Sequence, residues 1–503
     1  MLYFRQILTL LVSLYTVRIV LDVLGVEDYG IYAVVGGVVS LLSFLSSTMA
    51  SATQRFFSFA LGQKDKERLN QVLTVNLFIY VAIAIAALLL LETVGLWYVM
   101  NKLHVSAERF EAACFVYHFA VLTFIVTMVK SPFMALIIAY EDMQIYAYMS
   151  ILEAFMKLGI VYLLVYLTFD KLELYGMLTF AVSLFISAVY VVISFLKYKD
   201  CRIKLSYWNN SLFKEVTGFT GWTLFGQISS VTRNQAVTLL INQFFNPAIV
   251  AARSIALNVS SQTNIFSSNF NTSLYPPIIK YYAAGEKENM FSLLFNGSKI
   301  TFFLMWILAL PLLIEMETVL NLWLKNPPQY TVLFTQLSII ESVILSVSLP
   351  LTTAARAPGR MKTYELSLGL IQISIFAFSW LILKMGGAAY SVFVVAIAAN
   401  ILMFFVRLYI VKNLIHLSIQ QYVKQVIIPV SLVTLGSAIP SYAIHKLLPE
   451  SLGYTIISIV ISILICIFAM YFLGLNKIFR NKIKQTILIR VRKMLNPQRK
   501  ELR

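Results

Sequence analysis

Gly453-Tyr-Thr-Ile-Ile-Ser-Ile-Val-Ile-Ser-Ile-Leu-Ile-Cys-Ile-Phe-Ala-Met-Tyr-Phe-Leu-Gly-Leu475 runs for 23 residues without a charge. A helix needs about 20 such residues to cross the roughly 30 Å hydrocarbon core of a bilayer, and a membrane β-strand would instead show about ten residues of alternating polarity. This stretch therefore reads as a transmembrane helix. Ten of the chain's 40 Lys and Arg residues follow it at once, between Lys477 and Arg503, as a basic tail facing anionic headgroups. The same pattern recurs along the whole chain of 503 residues, which is 59% hydrophobic, only 13% charged, and has a mean hydropathy of +0.80. Soluble domains are about 25% charged. The fold class is thus an all-α, polytopic membrane protein, and the net charge of +17 belongs to loops and tail and not to a nucleic-acid surface.

Cutting at charge and turn clusters gives fourteen segments: 5–24, 29–54, 72–98, 110–138, 144–168, 173–196, 216–243, 248–275, 291–314, 331–353, 364–384, 388–411, 425–446 and 453–475. The first resembles a signal peptide, but Arg18 and Asp22 interrupt it and no small-x-small cleavage site follows, so it is read as a retained span. Expected domains are a six-helix lobe over 1–200, a second over 215–412, two further helices over 424–475 and the basic tail over 476–503. The longest outer loop is expected around 315–330, with Glu315, Glu317 and Trp323 as an interfacial anchor.

Charge sets the orientation. With the N-terminus inside, 29 Lys and Arg fall on the inner side, six on the outer, and five (Arg18, Lys130, Lys157, Arg233, Arg253) within spans. Both termini are expected in the cytoplasm. Residues 60–66, Ala-Leu-Gly-Gln-Lys-Asp-Lys, echo residues 283–289, Ala-Ala-Gly-Glu-Lys-Glu-Asn, at an offset of 223. Six spans lie between the copies, so the lobes form a parallel pseudo-repeat.

Polar side chains mark the interior. From Gln227 to Ser273, 23 of 47 residues are Ser, Thr, Asn or Gln, a composition that lipid penalises unless the groups line water or pair with one another. A hydrated cavity lined by Asn234, Gln235, Asn258 and Gln262 is expected, with interhelical hydrogen bonding as the alternative. Intramembrane charge is costly and points to function. Arg18, Arg233 and Arg253 lie deep in their segments, and Arg55 ends the second. Asp22 shares a helix face with Arg18, and Glu153 with Lys157, as ion-coupling groups or structural pairs. Arg233 and Arg253 have no acid three or four positions away. Guanidinium forks suit a pyrophosphate, so Arg18, Arg55, Arg233 and Arg253 are the candidate substrate-binding residues.

No catalytic residue, cofactor or metal site is expected. Cys114, Cys201 and Cys466 lie far apart, no phosphate-binding GxxxxGK[ST] loop is present, and four Asn-x-Ser/Thr matches (Asn209, Asn258, Asn271, Asn296) fall in or inside the membrane.

Arg18-Ile-Val-Leu-Asp-Val-Leu-Gly-Val-Glu-Asp-Tyr-Gly-Ile-Tyr32, Gln54-Arg55-Phe56, Leu61-Gly62 and Ala139-Tyr140-Glu141-Asp142-Met143 together resemble bacterial polysaccharide-biosynthesis flippases. These are the O-antigen or capsule repeat-unit exporters of the multidrug/oligosaccharidyl-lipid/polysaccharide superfamily. The resemblance implies two six-helix lobes around a cavity and alternating access in the bacterial inner membrane. It also implies an undecaprenyl-pyrophosphate-linked oligosaccharide as cargo, moved to the periplasmic leaflet by a monomer alongside polysaccharide polymerase machinery. Related lipid II flippases place arginines in the first, second and eighth helices, matched here by Arg18, Arg55 and Arg253. A drug or small-molecule exporter of the same superfamily is the alternative, and should carry uncompensated acids. A glycosyltransferase or polymerase would need an acid-bearing outer loop, which is missing.

Overall fold

The computed structural model describes residues 2–40, 42–102, 106–324, 326–449, 451–475 and 480. The expected tail and Lys325 lie outside these, Arg480 excepted. In chain order the α-helices are α1 (Leu2–Ser40), α2 (Ser43–Gly62), α3 (Lys66–Leu90), α4 (Leu96–Lys102), α5 (Phe110–Ala139), α6 (Met143–Tyr166), α7 (Lys171–Lys197), α8 (Asn210–Phe244), α9 (Pro247–Ala283), α10 (Lys287–Leu324), α11 (Thr331–Val347), α12 (Leu349–Arg356), α13 (Lys362–Lys384), α14 (Ser391–Ile415), α15 (Ile419–Tyr422), α16 (Ile428–Leu447) and α17 (Leu452–Ala469). The protein is all-α among the described residues. Each of the fourteen apolar segments falls on one helix or one broken helix.

The breaks have local causes. Gly25 takes φ +78° inside α1, a conformation that costs glycine little. A wide turn over Leu91–Gly95 joins α3 to α4. The Tyr117 hydroxyl donates to Leu91 O at 2.6 Å there, and a Cβ on Gly95 would stand 2.2 Å from that hydroxyl oxygen. Among the described residues ten helices are long and apolar enough to span a membrane, or twelve if the two bent pairs each count as one span. The count of fourteen includes α8 and α9, which at 35 and 37 residues have the length but not the apolar composition.

Two sequence expectations are corrected. Glu315 and Glu317 do not lie in a loop: α10 continues to Leu324, and Glu315 is buried. Lys299 and Arg407, counted with the inner loops, are buried in α10 and α14. Both lie within the expected segments 291–314 and 388–411, so they belong with the charges inside helices and not with the inner loops.

The chain forms two compact units, residues 1–232 with 272–290 and 353–370, and residues 233–271 with 291–352 and 371–503. These cut the chain differently from the boundaries expected at 200 and 215. In the first unit α5 packs on α2 and α7, and α1 on α6. The end of α9 belongs to this unit too. It approaches α2 so closely that a Cβ on Gly62 would lie 2.6 Å from Lys280 O. The turns after α2 and α9 share a pattern: Asp65 N–H donates to Ala60 O and Glu286 N–H to Tyr281 O. Their correspondence is an offset of 221, two less than the sequence echo. The turn after α5, where Asp142 N–H donates to Ile137 O, has it as well, so the echo reflects a helix-ending motif as much as a repeat.

In the second unit the core gathers Val237, Ile241, Ala252, Phe334, Val392 and Phe393 from α8, α9, α11 and α14. The pair α16–α17 joins α10 through Trp306, whose Nε1 donates to Ser437 Oγ at 2.9 Å.

Candidate substrate site

The four candidate arginines do not form one cluster. Arg253 and Arg233 lie together in the second unit. Arg253, on α9, is 5% exposed. Its Nε donates to Thr238 Oγ1 at 3.2 Å, its Nη2 to Asn234 O at 3.4 Å, and its guanidinium carbon stands 5.4 Å from the centre of the Phe393 ring. None of these partners carries charge. Arg233, one turn of α8 earlier than Val237, is instead compensated: Nη1 donates to Glu341 Oε1 at 3.0 Å and Nη2 to Asn234 Oδ1 at 3.1 Å. Asn400 Nδ2 donates to the same carboxylate oxygen at 2.9 Å.

This arrangement sets two guanidiniums on one asparagine, with one carboxylate, on Arg233, between them in the count of charge. Asn234 ties them together, its side-chain oxygen serving Arg233 and its main-chain oxygen Arg253. Arg233 Nε is buried without a partner among the described residues. A buried donor left unpaired costs about 1–3 kcal/mol, so the cluster holds both unspent positive charge and an unspent donor. Gln235, Asn258 and Gln262 are exposed on α8 and α9, away from the unit's core.

Arg55 belongs to the first unit and to different chemistry. It is 2% exposed, with Nη1 donating to Glu215 Oε1 at 3.3 Å and Nη2 to Ala357 O at 2.9 Å. Phe56, Phe59 and Phe219 surround the guanidinium, at 4.6, 4.9 and 5.6 Å. Arg68 shares Glu215 at 3.5 Å. Tyr275 OH donates to Ser51 O at 3.1 Å, Arg356 to the Ser51 hydroxyl, and Lys280 pairs with Glu141 at 2.6 Å. Residues expected in opposite lobes are thus bonded at the ends of α2, α5, α9 and α12. Arg55 is a fastening in this conformation, not an open ligand site.

Arg18 and Asp22 are both exposed on α1 and form no ion pair with each other among the described residues. Glu153 accepts from Lys157 at 2.7 Å and faces Lys130 at 4.0 Å, one acid between two cations. Sequence reasoning offers Glu341, with Asp22, only as an acid that could pair with Arg253; the structure pairs it with Arg233, and Glu215, the partner of Arg55, was missed. Separations of 108 and 160 residues left no local signal. No group of His, Cys, Asp and Glu suited to a metal exists among the described residues.

Solved structures with this arrangement of helices are known. An outward-facing multidrug-resistance MATE family transporter of the MOP superfamily matches with a TM-score of 0.70 at 13% identity, over 82% of this chain and 93% of its own. A MOP superfamily transporter from Pyrococcus furiosus, described as having a binding pocket of reversed polarity, matches with a TM-score of 0.64 at 14% identity, over 82% and 94%. The fold is that of these transporters. No family model and no curated protein matches the sequence. At such identity the likeness extends to the transporter fold and carries no side-chain roles. The arginine cluster of α8, α9 and α11 therefore stands on its own geometry.

Proposed function

We propose that this transporter-fold protein is a secondary-type flippase for an anionic, lipid-linked cargo. The finer identity follows the sequence resemblance: an undecaprenyl-pyrophosphate-linked oligosaccharide, carried across the bacterial inner membrane by alternating access. In this reading both termini are cytoplasmic and polysaccharide polymerase machinery takes the product. The observation that carries it is the charge balance at Arg253: Glu341 compensates Arg233, while Arg253, held on the same Asn234, has neutral partners among the described residues. A pyrophosphate can take both forks bidentately, while the lipid tail stays in the bilayer and the sugars cross through the polar side chains of α8 and α9. The reaction is transfer between leaflets, with no bond made or broken.

The comparisons stand nearer to the second reading, a multidrug or small-molecule exporter, since the neighbours include a multidrug-resistance transporter. Site polarity favours the first. The Pyrococcus furiosus neighbour, whose reversed pocket polarity is described as suggesting a different function, is a precedent for using pocket charge in this way. A chromosomal deletion separates the two. Loss of surface polysaccharide, with lipid-linked repeat units accumulating on the cytoplasmic face, supports the flippase. Normal polysaccharide with raised drug sensitivity supports the exporter.

A further inference from the structure

Far from the arginines along the chain, the end of α10 meets the α16–α17 hairpin around a cavity of about 600 Å³. That volume falls in the range of small-molecule sites. At Glu315 the backbone of α10 leaves helical geometry, with φ −103° and ψ 18°, and the side chain is 3% exposed. Its Oε1 accepts from Ser458 Oγ at 2.5 Å and pairs with His445 Nδ1 at 2.7 Å. Its Oε2 has no partner among the described residues, although Glu315 lines the cavity. That oxygen is free to accept from a donor a ligand brings into the cavity.

The rest of the lining specifies which one. Glu317 adds a second, exposed carboxylate, and no Lys or Arg pairs with either acid among the described residues. Lys446, also lining the cavity, rests its ammonium 5.1 Å from the Tyr442 ring, clear of the glutamates. Two acids, a cation that pairs with neither, and the residues Tyr454 and Thr455 with their hydroxyls in one lining match a zwitterion with a hydrogen-bond-donating ammonium and a phosphate. Leu447, Leu452 and Ile456 beside the cavity are strongly exposed apolar residues that suit acyl chains. We propose that this cavity binds the phosphoethanolamine headgroup of a bilayer lipid, with Glu315 and Glu317 on the ammonium and Lys446 on the phosphate. The site rests on the geometry of the second unit alone and is independent of the cargo assigned above.

The test is lipid retention by the full chain in nanodiscs of phosphatidylethanolamine, phosphatidylcholine or phosphatidylglycerol, read by native mass spectrometry. Phosphatidylcholine keeps charge and phosphate, but its trimethylated ammonium cannot donate. Retention of the ethanolamine lipid about tenfold above both others is expected, the worth of a charged hydrogen bond. Glu315→Gln should erase the preference and Lys446→Gln should weaken it. Equal retention of ethanolamine and choline lipids by the unaltered protein overturns the proposal, and that measurement needs no variant to fold. Soluble phosphoethanolamine, added as competitor, separates the sources: failure to displace the lipid supports a lipid site, and displacement at equal concentration overturns it in favour of a free ligand. Transport is not the readout, so a wrong cargo assignment leaves the result unchanged.

Discussion

Arg55 and Arg253 are buried almost equally, at 2% and 5% exposure, in opposite surroundings. Arg55 has a carboxylate, a main-chain carbonyl and three rings, and Gly359 at φ +80° lies against it so tightly that a Cβ there would stand 2.6 Å from Nη2. Arg253 has a hydroxyl, a carbonyl and one ring. The difference teaches that burial of a cation does not define its task. Arg55, compensated by Glu215, ties helix ends together, and Arg253, with neutral partners among the described residues, is the one the proposed cargo site draws on.

The largest expected effect breaks this contrast at its charged end. Arg253→Ala should abolish export while the protein still accumulates, because its lost partners are neutral and no acid is stranded. Arg253→Lys should retain part of the activity, keeping charge but not the planar fork. Surface polysaccharide and protein abundance, measured together, check both. Wild-type export by a stably expressed Arg253→Ala protein would remove the arginine from the site.

How much of this was legible beforehand differs between fold and site. Apolar runs longer than 20 residues place the ten helices among the described residues that are apolar enough to span, because lipid leaves the backbone no other hydrogen-bonding solution. The polar density of α8 and α9 likewise marks them as unlike the rest. Partnership was not legible. Glu215 and Glu341 reach their arginines from other helices, and Ala357 O, 302 residues from Arg55, is a main-chain atom with no signature in side-chain chemistry. Glu315 was misread for a related reason. An acid near a predicted end reads as loop, yet α10 carries it on another two turns and tucks it against Ser458 and His445.

The second effect concerns the fastened end. Arg55→Ala removes two charge-assisted hydrogen bonds and the ring contacts, at about 2–4 kcal/mol. Glu215 is left half exposed and can rehydrate, which limits the loss. The thermal midpoint of the detergent-solubilised protein should fall well below that of Arg253→Ala. Equal midpoints would erase the distinction between the two arginines.

A third, smaller effect tests the backbone beside Arg55. Gly359→Ala puts a side chain on a left-handed residue, at about 1 kcal/mol, and crowds the guanidinium. The guanidinium is the far end of a flexible chain but is held by Ala357 O, so the double variant with Arg55→Ala should lose less than the two single losses added together. A double-mutant cycle of midpoints measures that coupling.

The smallest effect lies at an exposed pair that by distance alone would rank with the others. Lys66 Nζ is 2.9 Å from Asp200 Oδ1, closer than Arg55 is to Glu215, but the two side chains are 72% and 52% exposed. Such pairs contribute about 0.2–1 kcal/mol, and Lys66 is also the first residue of α3, where a cation opposes the helix dipole by about 0.3–1 kcal/mol. The two contributions nearly cancel, so Lys66→Ala should leave the thermal midpoint unchanged in low and high salt. The neighbouring Asp65→Ala should cost about 1 kcal/mol, because Asp65 Oδ1 caps α3 by accepting from Arg68 N–H at 2.9 Å. A larger loss at Lys66 than at Asp65 would mean that short distance, and not burial, decides what an ion pair contributes in this protein, and would undo the reading of Arg55 along with it.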